Sequence, residues 1–117
     1  MKERFNENLP SPLSTDTAKS IISKIERWVE KHSTAWVVYG NWYIGITNNP
    51  NARASAHKSA NGHLYFWNEY DARSRRIAEA IETRFHNKGM KERDLKGGAR
   101  DDSRYVYVFK KHPTIAD

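Results

Sequence analysis

The sequence predicts an α+β domain, a small and mostly antiparallel sheet of three to four strands flanked by about three helices. Segments of helical apolar period alternate with short runs of β-branched and aromatic residues, in the order helix, hairpin, helix, strand, helix, strand. Two of the β runs, Trp36-Val37-Val38-Tyr39 and Trp42-Tyr43-Ile44-Gly45-Ile46, are separated only by Gly40-Asn41, the composition of a tight hairpin. The last run, Tyr105-Val106-Tyr107-Val108-Phe109, is apolar on both faces, which marks a central strand and not an edge.

The elements follow in order. Residues 1–13 are polar, carry Pro10 and Pro12, and read as a loose tail before a single domain at 14–117. Ile21, Ile22, Ile25, Trp28 and Val29 recur at helical spacing, so a helix is expected over 16–31, with this stripe facing the core. After the hairpin, Asn48 and Asn49 stand before Pro50, a side-chain cap followed by proline at the first helical position. That helix should run to Asn61-Gly62, where glycine takes the left-handed turn that ends helices. Residues 63–70 are dense in aromatics and read as a strand; Asp71 then caps a third helix to about Asn87, stopping near Gly89. Residues 90–103 are charged and glycine-containing, a loop, and 104–110 form the C-terminal strand.

Composition narrows the partners. The formal net charge is +6, and its placement is uneven: residues 53–111 hold fourteen Lys or Arg against eight Asp or Glu, residues 1–52 six against five. A basic half interleaved with Tyr, Trp and His suits a phosphate backbone. Lys58, Arg73, Arg75, Arg76, Arg84 and Lys88 are the candidates for nucleic-acid contacts. Without cysteine there are no disulfides and no thiolate metal sites. No apolar run approaches the ~20 residues of a membrane span, and no secretory signal opens the chain, so the expected compartment is the cytoplasm.

The residue types that carry chemistry cluster around Tyr43-Ile44-Gly45-Ile46-Thr47. Gly45 leaves room on the tyrosine's side of the strand for a ligand or the next helix. Arg53 and His57, four apart on that helix, share one face, so a phenol, a guanidinium and an imidazole come together. On the third helix Ile77, Ala78, Ile81 and Phe85 define an apolar stripe, and Glu82 lies on its flank. A carboxylate at the edge of a buried face is where a metal ligand opening on a cleft would stand.

In this order and spacing, Tyr43-Ile44-Gly45, Thr47, Arg53, His57 and Glu82 four residues after Ala78, the chain resembles the GIY-YIG nuclease family over roughly residues 34–90. The resemblance implies hydrolysis of DNA phosphodiester bonds with one divalent ion, Mg²⁺ or Mn²⁺, held by Glu82 and waters. Such an ion needs only one or two carboxylates. Arg53 would then grip the scissile phosphate, Tyr43 would orient or deprotonate the attacking water, and His57 would share the proton work or hold a phosphate. The family's first-strand tyrosine falls to Trp36 or Tyr39. A two-residue turn puts Trp36 on the Tyr43 face, and a shift of one residue puts Tyr39 there.

The expected function is therefore a metal-dependent endonuclease acting on nucleic acid, DNA ahead of RNA. The alternative is a nucleic-acid-binding module of the same fold with impaired cleavage, motivated by Trp36 in the first tyrosine's place. Target selectivity is expected from residues 90–103, the tail or a partner. A homodimer would pair two nicks into a double-strand break.

Overall fold

The computed structural model describes residues 11–33, 36–91 and 102–111. Its elements are a 3-10 turn at Pro12–Ser14, helix α1 at Asp16–Lys31, a 3-10 turn at Tyr39–Asn41, strand β1 at Tyr43–Thr47, helix α2 at Pro50–Asn61, strand β2 at Tyr65–Asp71, helix α3 at Arg75–Asn87 and strand β3 at Tyr105–Lys110. The three strands form one antiparallel sheet in the order β1-β3-β2. The expected α+β class and the central position of the C-terminal strand are both observed. Most of the expected tail and of the 90–103 loop lies outside the described residues.

Each helix starts where a side chain takes up an otherwise unpaired backbone N–H. Thr15 Oγ1 accepts from Ala18 N at 3.1 Å, Asn49 Oδ1 from Ala52 N at 3.1 Å, and Ser74 Oγ from Ile77 N at 3.2 Å. The third cap corrects the expected one. Asp71 is the last residue of β2, where its carboxylate accepts from Arg73 N at 2.8 Å and pairs with Arg104 at 2.9 Å. Arg73 takes φ 73°, turning the chain so that Ser74 becomes the cap. Gly62 closes α2 at φ 88°, as glycine there should.

The expected hairpin does not form. Residues 36–38 are not a strand, Trp36 is 74% exposed, and Tyr39–Asn41 closes a 3-10 turn with Trp42 N donating to Tyr39 O at 3.0 Å. The reason is competition for strand edges. One side of β1 is paired with β3 along its whole length, Tyr43 opposite Phe109 through Thr47 opposite Tyr105. The other side is met by Lys91: Ile44 N donates to Lys91 O at 3.0 Å and Lys91 N to Trp42 O at 2.9 Å. Both neighbours come from distant sequence, and the turn at 39–41 carries the preceding chain away.

Alternation along the strands separates two faces. Ile44, Ile46, Val106 and Val108 enter the main core with Ile21, Ile25 and Val29 of α1, Ala78, Ile81 and Phe85 of α3, and Trp42. The residues between them, Tyr43, Gly45, Thr47, Tyr105, Tyr107 and Phe109, face the other way, where α2 lies. A register shift between Tyr65 and Asn68, with Phe66 at φ 57°, lets β2 serve both sides. Phe66 packs on Trp42 and His32 in the core, whereas Trp67 stacks on Tyr107 across the sheet.

Candidate active site

On the α2 face, Gly45 sits directly opposite Tyr107 in the β1–β3 ladder. The space expected above the glycine is filled by that tyrosine. A Cβ added at Gly45 would fall 2.5 Å from Tyr107 Cζ and 2.9 Å from Cε2, and closer still to the hydroxyl, so the phenol crosses the strand where only glycine admits it. Gly45 is not in the left-handed region, so its requirement is for space and not for conformation.

The phenol reaches α2. Tyr107 Oη lies 2.8 Å from His57 Nε2, and the tautomer of the imidazole decides which of the two donates. His57 is 1% exposed and is walled by Tyr107, Phe109 and Trp67, with ring centroids at 5.3, 4.8 and 6.4 Å. Trp67 stacks on Tyr107 at 4.8 Å with 10° between the planes, so the phenol is held from both sides. Arg53, one turn earlier on the same helix face, is also buried, as a shared face requires. The alanine-rich sequence of α2 leaves these two as the long side chains turned inward. Thr47 fixes the approach of the helix: its hydroxyl accepts from Asn49 N at 3.1 Å, and Asn48 reaches the Asp102 carboxylate at 3.0 Å.

Tyr43 lies two residues from Gly45 on the same face and stacks on Phe109 at 5.1 Å and 10°. The ammonium groups of Lys91 and Lys111 each lie 5.9 Å from its ring centroid. Two cations thus flank this phenol, one from the segment after α3 and one from the end of β3. Glu82 is half-buried on α3, one turn after the fully buried Ala78. That helix packs against β1 and β3 from the core side. As the donor set for a divalent ion it is a single, partly shielded carboxylate, which fits Mg²⁺ or Mn²⁺ because these ions keep most of their waters. Among the described residues no three His, Asp or Glu side chains cluster.

Neither candidate for the first tyrosine faces Tyr43. Trp36 projects into solvent, and Tyr39 packs against Phe85 at 5.9 Å beneath Lys88, its pKa raised chiefly by burial. The residue that stands opposite the glycine is Tyr107, contributed by β3. Its signal in the sequence was the alternation Tyr105, Tyr107, Phe109, which puts three aromatics on one face; what was missing was the pairing partner some sixty residues away.

The candidate phosphate contacts divide. Lys58 is exposed on α2, turned away from the buried Arg53 and His57, and Arg73 is exposed in the β2–α3 turn. Arg76 and Arg84 are exposed on α3, where Arg75 pairs with Glu79 at 2.9 Å and Lys88 with Glu26 of α1 at 3.2 Å. No protein-family model, no curated protein and no solved structure matches this chain.

Proposed function

We propose that this chain is a metal-dependent endonuclease hydrolysing DNA phosphodiester bonds, with Tyr107 and His57 as its proton-handling pair. The single observation that carries the reading is the hydrogen bond between them, made over Gly45 and one helical turn from Arg53. A phenol of pKa near ~10 is a poor base unless its own proton has somewhere to go. His57 supplies the place. As the water oxygen bonds to phosphorus, Tyr107 Oη takes the water proton and passes its own to His57 Nε2. The leaving alkoxide is then protonated from solvent.

Arg53 supplies a cation that forms paired hydrogen bonds to phosphate oxygens as their charge grows. Lys91 and Lys111, beside Tyr43, extend the positive surface along the strand that bears Gly45. Glu82, carried by α3 on the face of the sheet opposite Tyr107 and His57, would hold the single divalent ion, which would supply neutralisation of the charge on the departing oxygen.

A second reading keeps the fold and the nucleic acid but not the cleavage. The burial of His57 and Tyr107 favours it, because a relay sealed by Trp67 also serves as packing. Nicking of a supercoiled plasmid with Mg²⁺ or Mn²⁺ separates the two. The hydrolytic reading expects nicked circles from the wild type and none from Glu82→Ala. Retarded DNA that is never cut supports the binding module, and cleavage undiminished in Glu82→Ala removes that residue as the ligand.

A further inference from the structure

The half of the sequence with the smaller net charge carries a one-sided basic stripe. On α1, Lys24, Arg27 and Lys31 fall within 60° of one another at 100° per residue and span about 10 Å of the helix. Glu26 and Glu30 lie on the other flank, with Glu26 taken up by Lys88 at 3.2 Å, and the third carboxylate of the helix, Asp16, stands in the first turn, eight residues before Lys24. Ile21, Ile25 and Val29 are turned into the core. None of the three cations pairs with a carboxylate among the described residues: Arg27 donates to Ser23 Oγ at 2.8 Å, and Lys31 lies 6.0 Å from the Trp28 ring. Arg75, Lys88 and Arg104, by contrast, are each in ion pairs.

These cations form one wall of a groove of about 260 Å³ between α1 and the outer strand β2, completed by Trp28, Asn68 and Tyr70. Among the described residues no carboxylate lines it. The Trp28 indole N–H is committed to Phe66 O at 2.9 Å, and Asn68 donates to the Tyr70 hydroxyl at 3.0 Å, so the aromatic wall is fixed in place. Burial pushes the Tyr70 phenol up to about 12, which keeps it neutral at physiological pH. Asn68 and Tyr70 pair with Val108 and Val106, so the groove belongs to the face covered by α1, opposite the His57–Tyr107 pair.

We propose that this groove binds the sugar–phosphate backbone of nucleic acid without reading its sequence, as a second binding surface on the far side of the sheet from the candidate centre. Three cations in a row match a row of phosphates, and the half-buried Trp28 ring, its N–H already donated to Phe66 O, gives little means of reading base edges. The groove does not depend on hydrolysis, so it stands or falls separately from the endonuclease reading.

The test is fluorescence anisotropy of a short labelled DNA duplex with the full chain in EDTA, where no metal-dependent cutting occurs, over a salt series. Neutralising Lys24, Arg27 and Lys31 together to Gln should reduce the slope of log K against log salt by about 2.7, close to 0.9 for each phosphate left without its cation. Between about 50 and 200 mM salt the wild type then loses roughly 40-fold more affinity than the variant. Lys24→Arg with Lys31→Arg should keep the wild-type slope, and Lys19→Gln, on the other flank of α1, should change it by less than about 0.9. A triple variant that melts with the wild type and keeps its slope overturns the proposal. Loss of binding to phosphatidylserine vesicles with DNA binding intact also overturns it, since the groove would then serve a membrane surface.

Discussion

Gly45→Ala tests whether the space over β1 belongs to Tyr107. The added methyl would lie 2.5 Å from Tyr107 Cζ and 2.9 Å from Cε2, well inside contact distance, so the ring has to move. It has nowhere to retreat, being 6% exposed, stacked on Trp67 at 4.8 Å and bonded to His57 at 2.8 Å. Overfilling a packed site costs about 1–3 kcal/mol, and loss of the hydrogen bond adds roughly 1 kcal/mol. Replacing glycine in a strand returns about 0.5–1 kcal/mol through the unfolded chain, since the backbone here is one that alanine adopts. The net expectation is a loss of about 1–3 kcal/mol, a fall in Tm of roughly 4–12 °C for a chain of this size. Thermal unfolding followed by circular dichroism reads the loss, and the His57 imidazole resonances report the broken bond. In Tyr107→Leu the same glycine change should cost much less, because the obstructing ring is gone. An alanine variant with the wild-type Tm and unshifted His57 resonances would refute the packing argument.

Further outcomes follow from the same structure. Ser74→Ala should lower stability by about 1 kcal/mol by removing the cap of α3, with Asp71→Asn leaving that helix intact; urea melts of both variants check it. His32 stacks on Phe66 at 4.3 Å, and burial, then Lys31 and Lys110, hold its pKa below 6.5. The unfolded chain therefore takes up the proton first, so the stability His32 contributes is complete above pH 6.5 and is lost as the pH falls from there toward the folded-state pKa. Melting curves between about pH 7.5 and 5.5 should decline for the wild type and flatten in His32→Gln; parallel curves would show that another group titrates. Arg53→Ala should reduce plasmid nicking by about 10²-fold or more, with Arg53→Lys recovering only part because a single ammonium cannot make the paired contact.

What the sequence made legible was local. The apolar stripe Ile21 to Val29, Asn49-Pro50 and the alternation of Tyr105 to Phe109 place α1, α2 and β3 close to their observed bounds, because helical period, caps, proline and strand periodicity act within a few residues. Arg53 and His57 were legible for the same reason: a spacing of four fixes a shared helical face whatever the helix packs on. The hairpin does not form because its local signal is outcompeted from far away, by β3 on one edge of β1 and Lys91 on the other. The place of Tyr107 is hidden with it, since a residue's partner across a ladder depends on register, which periodicity alone leaves open. The basic stripe of α1 is hidden by counting: six cations against five acids in residues 1–52 describe near-neutrality, while the helical period puts Lys24, Arg27 and Lys31 on one flank and Glu26 and Glu30 on the other.

The central claim is that Tyr107, paired with His57, handles the proton of the attacking water, and Tyr107→Phe tests it most directly. The substitution removes one oxygen and leaves the ring between Gly45 and Trp67, so its melting temperature should fall by no more than a few degrees. Rates of supercoiled-plasmid nicking with Mg²⁺ are compared for the two proteins at equal concentration. The expected result is nicking by the wild type and a loss of about 10²-fold or more in Tyr107→Phe. Equal rates from the two proteins would contradict it.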